Sequence, residues 1–413
     1  MSHPQLFTMA TSNENSPPGR KLRRTPRNSA VDLASPTDSS TDQSIPYVYQ
    51  PLSLGNGFRL LTVLPGKSAD AIHCTVQEYP LDSPPSFSAL SYTWGSADSS
   101  ADIVVEGYFL TVRQNLHDAL KALRMPRQPL TIWVDALCIN QADIDERNHQ
   151  VARMWSIYHK ASCVLVWLGC IEANTVDLQT PNLEKVLQIK RVSAKSFGLN
   201  PAFLIHSFDR IPAPSLPMIE PVFQKLVVSP YWNRGWVRQE ALAASSLLIC
   251  FGEYKLDEQT FFNACIKCRN YRLTLSGSPD HLRQAFRYPY IWNIIESRRK
   301  HFTGDDLKSL ITKYGMSACE DPRDRIFCLL GLAHNWRGAA SQPWHDLHAD
   351  YSLTNEQVFE RFRSCGPSKA NGIDWDFENH LRQCLGLSRG KIAKRRRATV
   401  LKSEKVAEPP DND

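Results

Sequence analysis

Two short apolar runs constrain the fold most: LTIWVDALC (130–138) and CVLVWLG (163–169). Apolar runs of this length are typical of strands that are buried on both faces of a sheet. The amphipathic segment between them, from about Asp143 to Lys160, predicts a helix. Strand, helix and strand in this order indicate parallel strands joined by a crossover helix. We therefore expect an α/β fold built on a parallel sheet flanked by helices.

Similar patterns extend the alternation of strands and helices in both directions. A period of two and a turn at Glu106-Gly107 predict three strands and a hairpin, at 58–65, 72–81, 87–94 and 103–112. Residues 113–124 predict a helix, because their apolar side chains repeat at i, i+3, i+4 and i+7. Further on, YWNRGWVRQEALAA (231–244) predicts a turn and a helix, and SSLLICFG (245–252) predicts a buried strand.

Composition divides the chain into four segments. We expect a disordered tail at 1–45, because a segment so rich in Ser, Thr and Pro cannot bury enough apolar area to offset its ordering entropy. Residues 46–255 form the main domain, which contains a poorly periodic insertion with short helices at 170–228. A mainly helical extension covers 256–364, and a polar, basic tail covers 365–413.

Charge gives little support for a nucleic-acid partner. The net charge is +6, but basic runs in the two polar flanks, at 20–27 and 394–397, account for it. The middle of the chain shows no basic face with aromatic platforms, which nucleic-acid binding would need. Either run could serve in nuclear import, so a nuclear location stays open beside the cytoplasmic one that we expect. No apolar stretch has the length of a membrane span, which predicts a protein without a membrane partner.

Cysteine usage predicts reduced, buried thiols and no metal site. The eleven cysteines are odd in number, and most lie in apolar stretches. Cys265 and Cys268 form a single CxxC without a second pair at zinc-ribbon spacing, so we interpret them as the inner face of a helix. The common phosphate-loop, dinucleotide-binding, hydrolase and zinc-protease motifs are all missing from the sequence.

Five blocks identify the chain as similar to the fungal heterokaryon incompatibility (HET) family. In chain order they are ALSYTWG (89–95), the long block IWVDALCINQADIDERNHQVARMWSIYHKASCVLVWLG (132–169), YWNRGWVRQEALA (231–243), DPRDRIFCLLGLA (321–333) and ADYSLTNEQVF (349–359). The first three resemble the HET domain itself, and the last two resemble the helical region that often follows it. Family members usually run on well past the last block, so we expect a short form or a truncated gene model.

The HET domain in turn resembles TIR domains remotely, which implies a TIR-like sheet. Here ALSY resembles the first TIR strand, and WVRQEAL resembles the TIR Trp-Cys-x-x-Glu-Leu box. Some TIR domains cleave the glycosidic bond of NAD with a helix glutamate, so the resemblance implies NAD as a candidate substrate, with no bound cofactor. In those enzymes the glutamate lies about two turns before the end of the helix, where this chain has Arg153 and Met154. The candidate catalytic acids are therefore Glu146 and Glu240.

Three motifs are expected to meet at the carboxyl edge of the parallel sheet, where ligands bind in such folds. Their polar amides, acids and aromatic rings suit a nucleotide, held by stacking and hydrogen bonding. The candidate ligand-binding residues are Tyr92, Trp94, Asp135, Asn140, Gln141, Arg147, Gln150, Trp236 and Gln239. Structural roles are the alternative: Asp135 and Asn140 as acceptors for loop backbone, Trp94 and Trp236 as core anchors.

The helix at 143–160 carries one residue in an unexpected position. At 100° per residue, Glu146, Gln150 and Arg153 form a polar stripe. Arg147 instead falls on the apolar face, where a guanidinium is costly unless it is paired. Asp135 or Glu240 is a suitable partner; alternatively, Arg147 extends to water from the first turn of the helix.

The HET resemblance implies an effector that triggers programmed cell death after fungal non-self recognition. Such an effector acts with a separate protein partner or sensor, or by self-association. Two mechanisms remain open. NAD cleavage would place a carboxylate in an open cleft near Tyr92, Trp94 and Asn140. A non-catalytic association module, which signals by homotypic or heterotypic assembly, would pack these residues internally and expose an apolar patch elsewhere.

Overall fold

Nine strands form one mixed sheet in the computed structural model, which describes residues 45–170, 223, 225–252, 254–275, 289–333, 347–365 and 375–388. In chain order the strands are β1 (Gly57–Val63), β2 (His73–Pro80), β3 (Ser88–Tyr92), β4 (Ser100–Val105), β5 (Tyr108–Arg113), β6 (Leu130–Trp133), β7 (Cys163–Trp167), β8 (Leu247–Phe251) and β9 (Tyr254–Asp257). Across the sheet they lie in the order β5-β4-β2-β1-β6-β3-β7-β8-β9.

Helices flank the sheet and make up most of the described residues after β9. Those placed among the strands are α1 (Gln114–Leu123), α2 (Asp135–Cys138), α3 (Ile144–Val151), α4 (Met154–Lys160) and α5 (Val237–Ala243), the last preceded by a 3₁₀ turn at Pro230–Asn233. Those after β9 are α6 (Glu258–Leu275), α7 (Pro289–Arg299), α8 (Leu307–Tyr314), α9 (Asp324–Leu330), α10 (Asn355–Cys365) and α11 (Trp375–Cys384). The predicted α/β fold with a mainly helical C-terminal region is confirmed.

Four parallel strands form the centre of the sheet. β3 pairs in parallel with β6 on one side and with β7 on the other, and β7 pairs in parallel with β8. Numbered by their own order along the chain, these four lie as 2-1-3-4, which is how doubly wound sheets begin. The chain runs from β3 to β6 on one side and then reverses to β7 on the other side of β3, and the carboxyl ends of β3 and β6 open at one edge. Closer likeness to TIR domains stays a prediction.

The central strands are apolar because both of their faces are covered. Every residue of β3 and β8 is buried, as is every residue of β7 except Cys163. The hairpin of β4 and β5 turns where the sequence predicted it, since Glu106 and Gly107 both have positive φ, at 53° and 84°. Positive φ at both central residues gives the turn a twist that matches the twist of the strands.

Two predicted elements differ in extent from the structure. The run at 130–138 is a strand only as far as Trp133; it then turns into α2, whose Cys138 N–H donates to Val134 O at 2.7 Å. The helix predicted at 143–160 is two helices, α3 and α4, separated at Ala152 and Arg153. Apolar spacing is nearly the same on both sides of this break, so periodicity alone could not locate it.

The C-terminal boundary also needs a correction. The polar tail predicted for 365–413 contains α11, whose Phe377, Leu381 and Cys384 are buried. This apolar face was hidden because charged residues dominate the composition around it. The tail predicted for 1–45 lies outside the described residues apart from Ile45, and so does most of the insertion at 170–228. The described residues all belong to one compact unit.

The interpretation of Cys265 and Cys268 as the inner face of a helix agrees with the structure. Cys265 and Cys268 lie on α6 and are 1% and 6% exposed. All eleven cysteines are free thiols. Within the described ranges, no group of three or more His, Cys, Asp and Glu side chains could hold a metal ion. In the same ranges, no helix combines the length and the apolar character that crossing a bilayer requires.

Substitution of Leu120 by alanine is expected to lower the free energy of unfolding by about 2–5 kcal/mol, because it opens a cavity where α1 meets the sheet. The Leu120 side chain is fully buried. Lys121→Ala, one position along on the exposed side of the helix, is the matched control and should change stability by less than about 0.5 kcal/mol. Urea denaturation of both variants measures the difference. Equal effects would show that α1 does not contribute this packing.

Candidate functional site

An open cleft of about 1060 Å³ lies beyond the carboxyl ends of β3 and β6. One wall comes from residues 93–95, which follow β3, and from α2 and α3 with the loop between them. The other wall comes from the turn before α5, from residues 318–325, and from Tyr351 and Asn355. Its volume is slightly above the range of about 300–1,000 Å³ that is usual for small-molecule sites.

Asp135 presents a carboxylate to this cleft from the first position of α2. Its Oδ2 accepts a hydrogen bond from Trp94 Nε1 at 2.9 Å, and its Oδ1 accepts one from Ala136 N at 2.7 Å. The Tyr92 hydroxyl is a further donor. Burial raises the pKa of Asp135, and these donors together with nearby Arg234 act in the opposite direction. The carboxylate is thus held in one orientation beside an indole ring.

The opposite wall repeats this arrangement. Asp324, at the start of α9, accepts a hydrogen bond from the Tyr351 hydroxyl at 2.5 Å and another from the Trp236 side chain. Burial raises the pKa of Asp324 to about 6. Both acids line the cleft, so a carboxylate and an indole ring occur together on each side of it. Sequence reasoning missed Asp324 and Tyr351. The signal was present in the DPRDR and ADYS blocks, which had no assigned role.

Arginine side chains line the cleft beside these acids. The Arg113 guanidinium lies over the Trp94 ring, 5.2 Å from its centroid. Arg323 is paired with Asp321 at 2.7 Å and also donates to the carbonyl oxygens of Tyr351 and Leu353, so it holds the wall together. Among the cleft-lining residues described, Arg113, Arg147, Arg234, Arg323 and Arg325 face Asp135, Glu320, Asp321 and Asp324.

Arg147 has a partner that was not predicted. Its guanidinium stacks on the Tyr351 ring, 3.5 Å from the centroid, and neither Asp135 nor Glu240 is paired with it. Stacking on an aromatic face satisfies a half-buried guanidinium without neutralising its charge. Arg147 therefore lines the cleft as a cation, fixed in place by a residue of the last sequence block.

Glu146, the first candidate catalytic acid, forms a buried ion pair with Arg59. Its carboxylate binds the Arg59 guanidinium at 2.5 Å, and the two side chains are 7% and 5% exposed. The same carboxylate accepts the Asn140 backbone N–H at 2.7 Å. Glu146 does not line the cleft, and a carboxylate occupied in this way cannot reach a substrate. Its function is to join β1 to the start of α3.

Glu240, the second candidate acid, lies next to the cleft but does not line it. Its side chain is 2% exposed and accepts a hydrogen bond from Ser91 Oγ. Arg234 belongs to the cleft wall, and its buried Nη1 lies 3.8 Å from the Glu240 carboxylate. Burial raises the pKa of Glu240 to about 7, while Arg234 and Ser91 act to lower it. Glu240 is thus a buried acid beside Arg234, which favours its ionised form against the effect of burial.

Two predicted ligand-binding amides are internal. Gln150 is fully buried and donates from Nε2 to Gly57 O at 2.9 Å, which corrects its place on a polar stripe. Gln239 is 2% exposed. In the orientation that lets both ends of its side-chain amide form hydrogen bonds, the amide oxygen accepts from Trp155 N at 2.7 Å. The amide nitrogen donates to Cys328 O at 3.1 Å. Gln239 therefore connects α5 to both α4 and α9, close to the break between α3 and α4.

The remaining predicted residues divide between the cleft and its support. Gln141 lines the cleft and donates from Nε2 to Asp135 O at 2.9 Å. Asn140 instead accepts from Ala142 N at 3.2 Å and supports the loop. Tyr92 is 2% exposed. Of the eleven predicted residues, the structure brings five together around the cleft: Trp94, Asp135, Gln141, Arg147 and Trp236.

Substitution of Glu146 by alanine is expected to lower the free energy of unfolding by about 3–5 kcal/mol, because it leaves the Arg59 guanidinium buried without its partner. The double variant Arg59→Met, Glu146→Leu removes both charges and should recover much of that loss. Chemical denaturation of the single and double variants measures both effects. A fully stable Glu146→Ala protein would contradict the structural role.

Substitution of Glu240 by glutamine is expected to remove a pH dependence of stability. Because the folded-state pKa of about 7 exceeds the unfolded value of about 4.3, the protonated carboxyl stabilises the fold fully below about pH 4.3. This contribution is lost as the pH rises through about 7. Relative to wild type, the glutamine variant should gain on the order of 1–3 kcal/mol between pH 5 and pH 8.

Glu320→Gln is the control for this measurement, because the Glu320 side chain is 81% exposed. Denaturation curves at the two pH values give the free energies of unfolding. A constant difference between Glu240→Gln and wild type at both values would show that Glu240 is ionised throughout.

The comparisons with known proteins agree on one family. The model of the heterokaryon incompatibility protein (HET) family matches residues 87–240. A Neurospora crassa protein named heterokaryon incompatibility protein 6, OR allele, is 36% identical over 366 residues, which cover 73% of this chain and 50% of that protein. The chain thus spans about half the length of this curated relative. No solved structure matches it significantly. The chain belongs to the fungal HET-domain family.

Proposed function

We propose that this protein is an effector of fungal non-self recognition and programmed cell death, and that its cleft binds and cleaves NAD. The first part rests on the HET domain and on the relative named for heterokaryon incompatibility. The second part rests chiefly on Asp135, a fixed carboxylate in an open cleft beside the Trp94 ring.

The cleft offers suitable contacts for each part of a dinucleotide. Trp94 and Trp236 are half-buried indoles on opposite walls, available for stacking with a nicotinamide or adenine ring. The guanidinium groups of Arg113 and Arg147 are stacked on aromatic rings and keep their positive charge. Guanidinium groups bind phosphate oxygens through paired hydrogen bonds, so these two suit the pyrophosphate.

Cleavage of NAD breaks the glycosidic bond between nicotinamide and its ribose. Positive charge develops on the ribose as the bond lengthens, and a nearby carboxylate stabilises it, as in glycoside hydrolysis. Asp135 is the acid that we assign to this role in place of Glu146 and Glu240. A water molecule then adds to the ribose, which gives nicotinamide, ADP-ribose and a proton. Trp94 and Tyr92 hold the carboxylate in place through their hydrogen bonds.

The second candidate function is a non-catalytic association module. Two observations favour it: Glu146 and Glu240 are both engaged internally, and an apolar groove of about 480 Å³ lies elsewhere on the molecule. Ile45, Val48 and Tyr108 line this groove and are 45%, 67% and 44% exposed. In this mechanism the groove would bind a second copy of the chain or a separate sensor protein, and signalling would follow from assembly.

Asp135→Asn is expected to reduce NAD turnover by the full chain by about 100-fold or more, because the neutral amide cannot stabilise the developing positive charge. Asparagine keeps an oxygen acceptor for Trp94 Nε1, so the fold should be preserved. Glu320→Gln, at the exposed rim of the same cleft, is the matched control and should retain activity. The measurement is release of nicotinamide and ADP-ribose, with and without a crowding agent that favours assembly.

The outcomes separate the two mechanisms. Turnover that Asp135→Asn abolishes and Glu320→Gln preserves supports the enzyme. If the assembled wild-type protein gives no turnover, the NAD hypothesis is wrong for this chain. Concentration-dependent self-association of the inactive protein, weakened by Val48→Asp, would then support the association module.

A further inference from the structure

Two cysteines meet beneath one wall of the cleft. Cys319 lies between α8 and α9, and Cys328 lies within α9. A Cβ atom placed on Gly235 would lie 2.7 Å from Cys319 Sγ and 2.8 Å from Cys328 Sγ, so both sulfurs crowd against one glycine. The two thiols are hydrogen-bonded to each other, with Cys319 as the acceptor. Both are free, and the segment between them carries the cleft residues 320–325.

The two sulfurs differ in access. Cys319 is half-buried and lines the cleft, whereas Cys328 is fully buried. A solute that enters the cleft therefore reaches Cys319 first. The hydrogen bond from Cys328 and the N–H of Gly235 lower the pKa of Cys319, although burial and nearby Asp324 oppose this. Burial raises the pKa of Cys328. The pKa values of the two neighbouring thiols are thus shifted in opposite directions, with Cys319 the more acidic of the pair.

A buried arginine with unused donors faces the same pair. Arg238 is 1% exposed, and its Nε and Nη2 have no hydrogen-bond partner among the described residues. Its Nη1 donates to Ser317 Oγ and Arg234 O. Its guanidinium lies over the rings of Tyr314 and Tyr290, 4.4 Å and 4.7 Å from their centroids, and the Cys328 and Cys319 thiols also act on its charge. No carboxylate of the described residues forms an ion pair with it. A buried cation without a carboxylate favours an anion nearby, and a thiolate supplies one.

We propose that Cys319 and Cys328 form a redox-active dithiol that responds to peroxide entering the cleft. The Cys319 thiolate attacks hydrogen peroxide, the O–O bond breaks, and Cys319 becomes a sulfenic acid as hydroxide leaves. Cys328 then attacks the sulfenic sulfur, an S–S bond forms, and water leaves. In total, two thiols are oxidised to a disulfide and one peroxide is reduced to water.

The disulfide would act on the cleft wall. It would close the loop from 319 to 328, which carries Asp324 and its contacts to Trp236 and Tyr351. Joining the two sulfurs draws Cys319 towards α9, so ligand binding in the cleft would differ between the reduced and oxidised forms. The thiol chemistry itself does not depend on which ligand the cleft takes.

The first test measures the alkylation rate of each cysteine in the reduced full chain as a function of pH, with iodoacetamide as the probe. Cys170 is the internal comparator, because it is exposed and its pKa is raised by partial burial. Cys319 should reach half of its maximal rate at a lower pH than Cys170. This comparison needs no variant and does not depend on exposure. An equal or higher half-rate pH for Cys319 would overturn the proposal.

The second test treats the protein with hydrogen peroxide and maps the products by mass spectrometry. The wild type should yield a peptide pair linked through Cys319 and Cys328. Cys328→Ser should leave a sulfenic acid on Cys319 that dimedone traps, and Cys319→Ser should give neither product. Cys365→Ser, at a half-buried cysteine outside the pair, is the control and should behave as wild type. Failure of the linked pair to form in the wild type would overturn the resolving role of Cys328.

Discussion

The close approach of α5 to the helices after β9 is the contact on which the cleft depends. Gly235, just before α5, donates its N–H to Ala318 O and has no side chain to hold the two segments apart. One turn later, Gln239 spans from Trp155 N to Cys328 O. Gly331 lies so near that a Cβ there would be 2.9 Å from the Gln239 amide. Small residues and one buried amide thus set the distance between the two walls.

The sequence predicted those elements whose structure follows from the spacing of neighbouring side chains. Three examples are the leucines of α1, the apolar run of β7 and the turn at Glu106-Gly107. Each was predicted because it follows from local side-chain spacing or backbone preference. The break between α3 and α4 could not be predicted from the sequence. The structure there uses the Trp155 N–H for a bond to Gln239, which is distant in sequence. Long-range hydrogen bonds of this kind leave no periodic signal.

At the candidate site, too, the sequence predicted what depends on topology and did not predict what depends on contacts between distant segments. Trp94, Asp135 and Gln141 line the cleft as predicted, because the rule for carboxyl ends of parallel strands depends on topology alone. The choice of Glu146 and Glu240 as candidate catalytic acids could not be checked from the sequence, for another reason. Whether Glu146 or Glu240 is available depends on whether a cation lies beside it, and Arg59 and Arg234 come from other elements. Residues 318–325 joined the site through tertiary packing that one sequence cannot show.

The position of Tyr351 means that the segment matched by the family does not contain the whole cleft. Its ring holds Arg147 and its hydroxyl holds Asp324, so a residue beyond the C-terminal end of the family match completes both walls. The segment recognised by shared ancestry, residues 87–240, is therefore smaller than the segment that builds the cleft. Selection on the shape of the cleft would act on both segments at once. Exchange of the matched segment for that of a relative would thus be constrained by Tyr351 and by residues 318–325, which complete the cleft from outside it.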